Sequence, residues 1–185
     1  MLYDKDIRDP LFAFLDGKYA KVRYLEEIPF GSSRADAIMV LKDQLIGIEI
    51  KSDADSYARL PQQIGNYDRY YDKNYLVIGV SHVKSVLDHV PLHWGVITAE
   101  IANGAFDFYV LREASENPFV RIELRLQLLW RSELVHILLM NKFPKYAKKG
   151  KYHLRQILAE SVDPVLLKKQ VSEELFERDY TIWGK

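Results

Sequence analysis

Residues 33–51 constrain the chain more than any other stretch, because they read as two short strands joined by a tight polar connection. A strand's side chains alternate between faces. Asp36, Ile38 and Val40 therefore share one face of the first segment, and Ala37, Met39 and Leu41 the other. In the second segment Leu45, Gly47, Glu49 and Lys51 lie together, opposite an apolar row of Ile46, Ile48 and Ile50. With Lys42 and Asp43 as a two-residue loop, Leu41 pairs with Gln44 and Asp36 stands directly across from Glu49. A three-residue loop would instead set Asp36 opposite Ile50, with Glu49 a diagonal neighbour. Like charges facing each other across a ladder are destabilising. Two carboxylates so placed imply a cation between them.

An Asp, a gap and then Glu-x-Lys on a second strand resembles the PD-(D/E)XK nuclease superfamily. The residues that carry the likeness are Asp36, Glu49 and Lys51. Gln63 and Tyr67 follow at the Gln-x-x-x-Tyr spacing seen in part of that superfamily. Ala35 stands where the motif's Pro would be. The likeness covers roughly residues 4–80 and implies a restriction-endonuclease-like core acting on phosphodiester bonds.

These groups suit metal-assisted hydrolysis. Mg²⁺ takes hard oxygen ligands and keeps several waters, so one or two carboxylates plus a substrate phosphate suffice; Mn²⁺ would serve as well. Asp36, Glu49 and the Ile50 backbone carbonyl are the expected ligands, with Glu27 on the preceding strand as a further acid and Glu26 as the weaker choice. Lys51 would position or deprotonate the attacking water and help neutralise the phosphate. Gln63 and Tyr67 are expected to orient these groups or touch a phosphate, and Arg59, one turn earlier, to contact the substrate backbone. No Walker loop, G-x-G-x-x-G after a strand, H-E-x-x-H or G-x-S-x-G occurs, which argues against nucleotide hydrolases, dinucleotide enzymes and zinc proteases.

The 185 residues carry 26 Lys and Arg against 26 Asp and Glu, so no global field draws the protein to a polyanion, and binding of one must be local. The absence of Cys removes disulfides, thiolate zinc sites and cysteine nucleophiles together. The first residues lack a signal-peptide pattern and no apolar run reaches membrane-spanning length, so a cytoplasmic protein without a membrane partner is expected.

Along the chain, residues 4–15 predict a helix with Pro10 in its first turn, and residues 21–30 a strand with Val22, Tyr24, Glu26 and Ile28 on one side. A helix over residues 57–71 would place Gln63 and Tyr67 on one side. The apolar run 75–80 predicts a central strand buried on both faces. Residues 94–99 and 106–112 flank an Asn103-Gly104 hairpin turn. Antiparallel strands followed by strands separated by helices predict an α/β fold, a mixed central sheet flanked by helices. Beyond a polar linker near Glu116 the pattern becomes helical, over 126–141, 152–160 and 164–178. This divides the chain into a nuclease-like core over 1–116 and a helical C-terminal region over 117–185.

Residues 141–155 hold Lys142, Lys145, Lys148, Lys149, Lys151 and Arg155 without an acid, interleaved with Phe143, Tyr146 and Tyr152. Such a segment is able to neutralise phosphates and stack on bases. The sequence thus points to a Mg²⁺-dependent deoxyribonuclease with DNA as partner, and leaves a homodimer open. The competing class is a non-enzymatic DNA-binding or assembly protein that keeps the fold.

Overall fold

A computed structural model describes residues 3–179. Six strands form one sheet in sequential order: β1 (Arg23–Phe30), β2 (Ser33–Val40), β3 (Leu45–Lys51), β4 (Lys73–Gly79), β5 (Gly95–Ala102) and β6 (Ala105–Arg112). The first three pair antiparallel, β3–β4–β5 run parallel, and β6 returns antiparallel, so the sheet is mixed as expected. Parallel neighbours need crossovers. The first contains a 3₁₀ turn at Tyr57–Arg59 and α2 (Leu60–Tyr67), and the second contains α3 (Val86–His89).

Helix α1 (Asp4–Asp16) lays Ile7, Leu11 and Leu15 against one face of the sheet, where they meet Met39, Ile46, Ile48, Ile50, Val77 and Ile97. The opposite face is covered by α2 and by the C-terminal helices: α4 (Ile122–Arg125), α5 (Arg131–Met140), α6 (Lys151–Ser161) and α7 (Pro164–Glu177). Helix α7 begins as expected, with Asp163 accepting from the amides of Val165 and Leu166 and Pro164 at its start. The connection near Glu116 is irregular, and the helices beyond it share their apolar cluster with the sheet. Asp72 ties the two together. It accepts from the Leu45 amide and pairs with Arg125 on α4 and Lys168 on α7, with Asp72 and Arg125 fully buried.

Several local expectations need correction. Helix α1 starts at Asp4 as expected, but Pro10 sits inside it and not in its first turn. The expected helix over 126–141 is broken: a 3₁₀ turn at Leu126–Leu128 is followed by extended backbone at Leu129 and Trp130, and α5 then restarts with the Glu133 carboxylate accepting from the Trp130 amide. Strict alternation also fails in β1. Leu25, Ile28 and Phe30 all pack on the C-terminal-helix side, because Glu27 at φ +53° interrupts the pleat and shifts the facing residues by one. Left-handed backbone is uncommon for a non-glycine residue.

Candidate active site

The hairpin between β2 and β3 has the two-residue register: Val40 opposes Leu45, the Leu41 amide donates to the Gln44 carbonyl, and the ladder runs to Ala37 opposite Ile48. Extended by one residue, it brings Asp36 level with Glu49. The ladder stops there, and the Asp36 carboxylate accepts from the Ile50 amide at 2.8 Å in its place. Asp36, Glu49, Ile50, Lys51, Arg59 and Gln63 line one open cleft of about 440 Å³.

Glu49 is 1 % exposed and is held from three directions. Lys51 Nζ reaches Oε1 at 2.5 Å, Gln63 donates its amide to the same oxygen, and the Tyr67 hydroxyl donates to Oε2 at 2.8 Å. Tyr67 also accepts from the Asp36 amide at 3.3 Å and lies 3.0 Å from the Ile48 carbonyl, so one phenol spans both strands. Its close approach depends on Gly47. A Cβ there would lie 2.6 Å from the Tyr67 ring and 2.5 Å from that of Tyr71. Burial, and then the charges of Glu49 and Asp36, raise the Tyr67 pKa well above that of a free phenol, which keeps the hydroxyl a donor.

Asp36 titrates far from its ordinary range. Burial first, and the Glu49 charge second, push its pKa up to about 7, against the opposing pull of the Ile50 amide and Lys51. The like-charge effect expected from the register is present, yet desolvation is the larger cause.

Two residues without a sequence signal join the site. Asp4, in the first turn of α1, brings a carboxylate oxygen within 4.8 Å of ones on Glu27 and Asp36. Arg8, one turn later, pairs with Asp4 at 2.5 Å and with Glu27, while Arg34 reaches Glu27 at 2.6 Å. Glu27 therefore stands beside Asp36, ion-paired on both of its oxygens. Glu26 is exposed, and only a 3.4 Å approach to Arg8 links it to the cluster. The far wall of the cleft is the β1–β2 turn, where Asn66 on α2 donates to the hydroxyls of Ser32 and Ser33.

The basic segment lies apart, between α5 and α6, and none of its residues lines this cleft. Lys142, Lys145, Lys148, Lys149 and Lys151 are all exposed to solvent. The expected interleaving with aromatics is only partial. Phe143 and Tyr146 turn inward onto the apolar cluster, because their burial removes more apolar surface from water than exposure allows, and Tyr152 alone of the three is exposed. Arg155 is half-buried, with its Nε unpartnered and its pKa lowered by desolvation. Arg131 pins the segment's backbone, donating to the Ala147 carbonyl at 2.9 Å.

Residues 5–181, nearly the whole chain, match the family model described as bacteriophage P4 protein cII. The chain belongs to the bacteriophage P4 protein cII family. Among solved structures, this family member is similar to Pyrococcus furiosus SfsA in complex with Ca²⁺, at 15 % identity and a TM-score of 0.36 over 63 % of each chain. That match spans less than two thirds of the SfsA chain and, at so low a score, says nothing of this protein's chemistry. No curated protein matches the sequence. Among the described residues no helix is long and apolar enough to cross a membrane.

Proposed function

We propose that this cII-family protein is a PD-(D/E)XK-type, divalent-metal-dependent nuclease acting on DNA, with residues 1–116 as its catalytic core. The observation that carries the reading is the convergence of Asp36, Glu49, Lys51 and Gln63 from three elements on one cleft, with Tyr67 holding Glu49 from behind and the half-buried Asp36 carboxylate raised to about 7. Carboxylates perturbed by desolvation and a specific charge partner cluster in the clefts of functional sites.

The donor set fits a hard cation. Among the described residues no hydrogen bond reaches Asp36 Oδ1, and the buried Gln63 Oε1 has no donor at all. Asp36, Glu49 and the Ile50 carbonyl would hold Mg²⁺ or Mn²⁺, and Glu27 would join them if it left its arginines. When bound, the ion lowers the pKa of a water and offsets charge on the phosphate. The protein's own groups do the rest. Lys51, carried on the Glu49 carboxylate, is placed to orient the attacking water and to neutralise a phosphate oxygen. Tyr67 and Gln63 fix the Glu49 carboxylate so that little reorganisation accompanies charge development. Arg59 and Arg34, at the mouth of the cleft, present cations to the substrate backbone, and the lysines of residues 142–151 extend the contact along it.

One observation favours the second reading, a nucleic-acid-binding protein without catalysis: both oxygens of Glu49 are already occupied by Lys51, Gln63 and Tyr67. Incubation with labelled duplex, single-stranded and branched DNA in Mg²⁺, Mn²⁺ or EDTA separates the two. Cleavage that needs the metal, and that disappears in Glu49→Ala and Lys51→Ala, is expected. Binding of DNA without cleavage under every metal condition would establish the second reading instead.

A further inference from the structure

The two edges of the sheet are treated differently. On β1 the outer edge is blunted: Pro29 has no amide hydrogen to donate, Glu27 breaks the extended geometry, and Arg23 is anchored to the Phe176 carbonyl of α7. These are devices that keep an edge from pairing. Strand β6 has none of them over residues 105–110. Its sequence there, Ala-Phe-Asp-Phe-Tyr-Val, is apolar apart from one acid, and its one irregularity is a register shift at the far end, opposite Val96 and Ile97. Among the described residues no backbone hydrogen bond from outside the sheet reaches Ala105–Arg112.

The hairpin fixes which backbone groups are free. Ala102 opposite Ala105 closes a two-residue turn and is a hydrogen-bonded pair, so Asp107 and Tyr109 also direct their amides and carbonyls to β5. Phe106, Phe108 and Val110 direct theirs outward. Their side chains lie on the α1 side, where Phe108 stacks on Phe14, while Tyr109 and Leu111 are exposed on the other, Tyr109 at 68 %.

We infer that β6 is a self-association edge, pairing antiparallel with β6 of a second copy about a two-fold axis at Phe108. Charge selects the register. An axis at Asp107 would oppose that carboxylate to itself, and one at Val110 would set it against Glu113. An axis at Tyr109 would pair Phe106 with Arg112, beyond the register shift. At Phe108 every outward group finds a partner. Phe106 meets the second copy's Val110, Phe108 meets its own counterpart, and Val110 meets the second copy's Phe106, three pairs each exchanging two hydrogen bonds. On the other face Asp107 lies across from the second copy's Tyr109, with no like charges opposed. The contact is isologous, as a two-fold interface must be. It joins two six-stranded sheets into one.

The inference does not depend on the nuclease reading, because its readout is mass and not cleavage. Sedimentation velocity across the micromolar range should show a dimer for the parent chain. Tyr109→Asp sets a carboxylate against the second copy's Asp107 twice per dimer and should yield a monomer with an unchanged circular dichroism spectrum. Tyr109→Lys at the same exposed position offers Asp107 a cation and should keep the dimer. Amide exchange at Phe106, Phe108 and Val110 should slow with concentration in the parent and not in Tyr109→Asp. A parent that stays monomeric throughout, a dimer that Tyr109→Asp leaves intact, or equal loss in both variants would overturn the proposal.

Discussion

Replacing Asp36 by Asn removes one negative charge from the cleft and keeps the side chain's shape, including an oxygen able to accept from the Ile50 amide. The Asp36 pKa lies at about 7 in the folded chain against an ordinary 3.8. A raised carboxylate pKa means that the folded state holds its proton more tightly than the unfolded one. This contribution to stability is therefore complete below pH 3.8 and is lost as pH rises from about 4 to about 7. Above that window the ionised carboxylate is a net cost. The displacement converts to about 4 kcal/mol, and relaxation of an open cleft brings the figure to about 2–4 kcal/mol. Asn remains neutral at every pH, so the variant should match the parent near pH 4 and exceed it at pH 8. For a chain of this size the gain corresponds to a Tm increase on the order of 10 °C. Thermal melts of both proteins in EDTA from pH 4 to 8 measure the gap. Excess Mg²⁺ at pH 8 should raise the parent's Tm through binding to the folded state, and leave the variant's unchanged. A gap that does not widen with pH, or an Asn variant that gains from Mg²⁺ as the parent does, would show that Asp36 is not a desolvated ligand whose charge costs stability.

Two further outcomes are expected. Lys145, Lys148 and Lys149 replaced together by Ala should weaken DNA binding and flatten the log–log salt dependence by about 0.9 for each phosphate no longer neutralised; fluorescence anisotropy at several salt concentrations measures the slope, and an unchanged slope would assign the segment to solvent. Gly47→Ala should lower stability by about 1–3 kcal/mol through overpacking against Tyr67 and Tyr71, read as a lower urea midpoint at unchanged m-value.

The fold was legible where one physical rule acts alone. The β2–β3 register follows from period-two alternation and a short loop, and the buried β4 follows from an unbroken apolar run. The Asn103-Gly104 turn, with φ of +53° and +80°, follows from the residue types that tolerate left-handed backbone. It was illegible where two rules compete. The run from Leu126 to Asn141 has helical apolar spacing throughout. Tertiary contacts decide otherwise at its start, where Arg178 reaches the Leu128 carbonyl and Glu133 in the space opened by the break. Glu27 carries no mark of a left-handed residue. Its conformation is held by ion pairs to Arg8 and Arg34, from elements distant in sequence or set by the turn that follows it, so local propensity could not announce it.

The same division runs through the site. Glu49 and Lys51 are legible because two charged residues at i and i+2 on an otherwise apolar strand must share a face, and burying them is costly unless they are partnered. Gln63 and Tyr67 are legible as an i, i+4 pair whose polar ends meet one carboxylate. Asp4 and Arg8 are different. On α1 an acid in the first turn followed four residues later by an Arg is what a solvated, self-paired helix surface looks like, since the acid favours the helix N-terminus and the pair adds an i, i+4 contact. Only the packing of α1 under the sheet by Ile7, Leu11 and Leu15 turns that surface toward Glu27 and Asp36. The consequence is electrostatic. Arg8 and Arg34 together occupy both oxygens of Glu27, so among the acids around Asp36 the one nearest in the sheet is already neutralised, and the like-charge push on Asp36 comes from Glu49 and then Asp4, only partly offset by Lys51. The raised pKa therefore belongs to Asp36 first because desolvation disfavours its charge and second because Glu49 stands across from it, while the arginines beside it are engaged by Glu27.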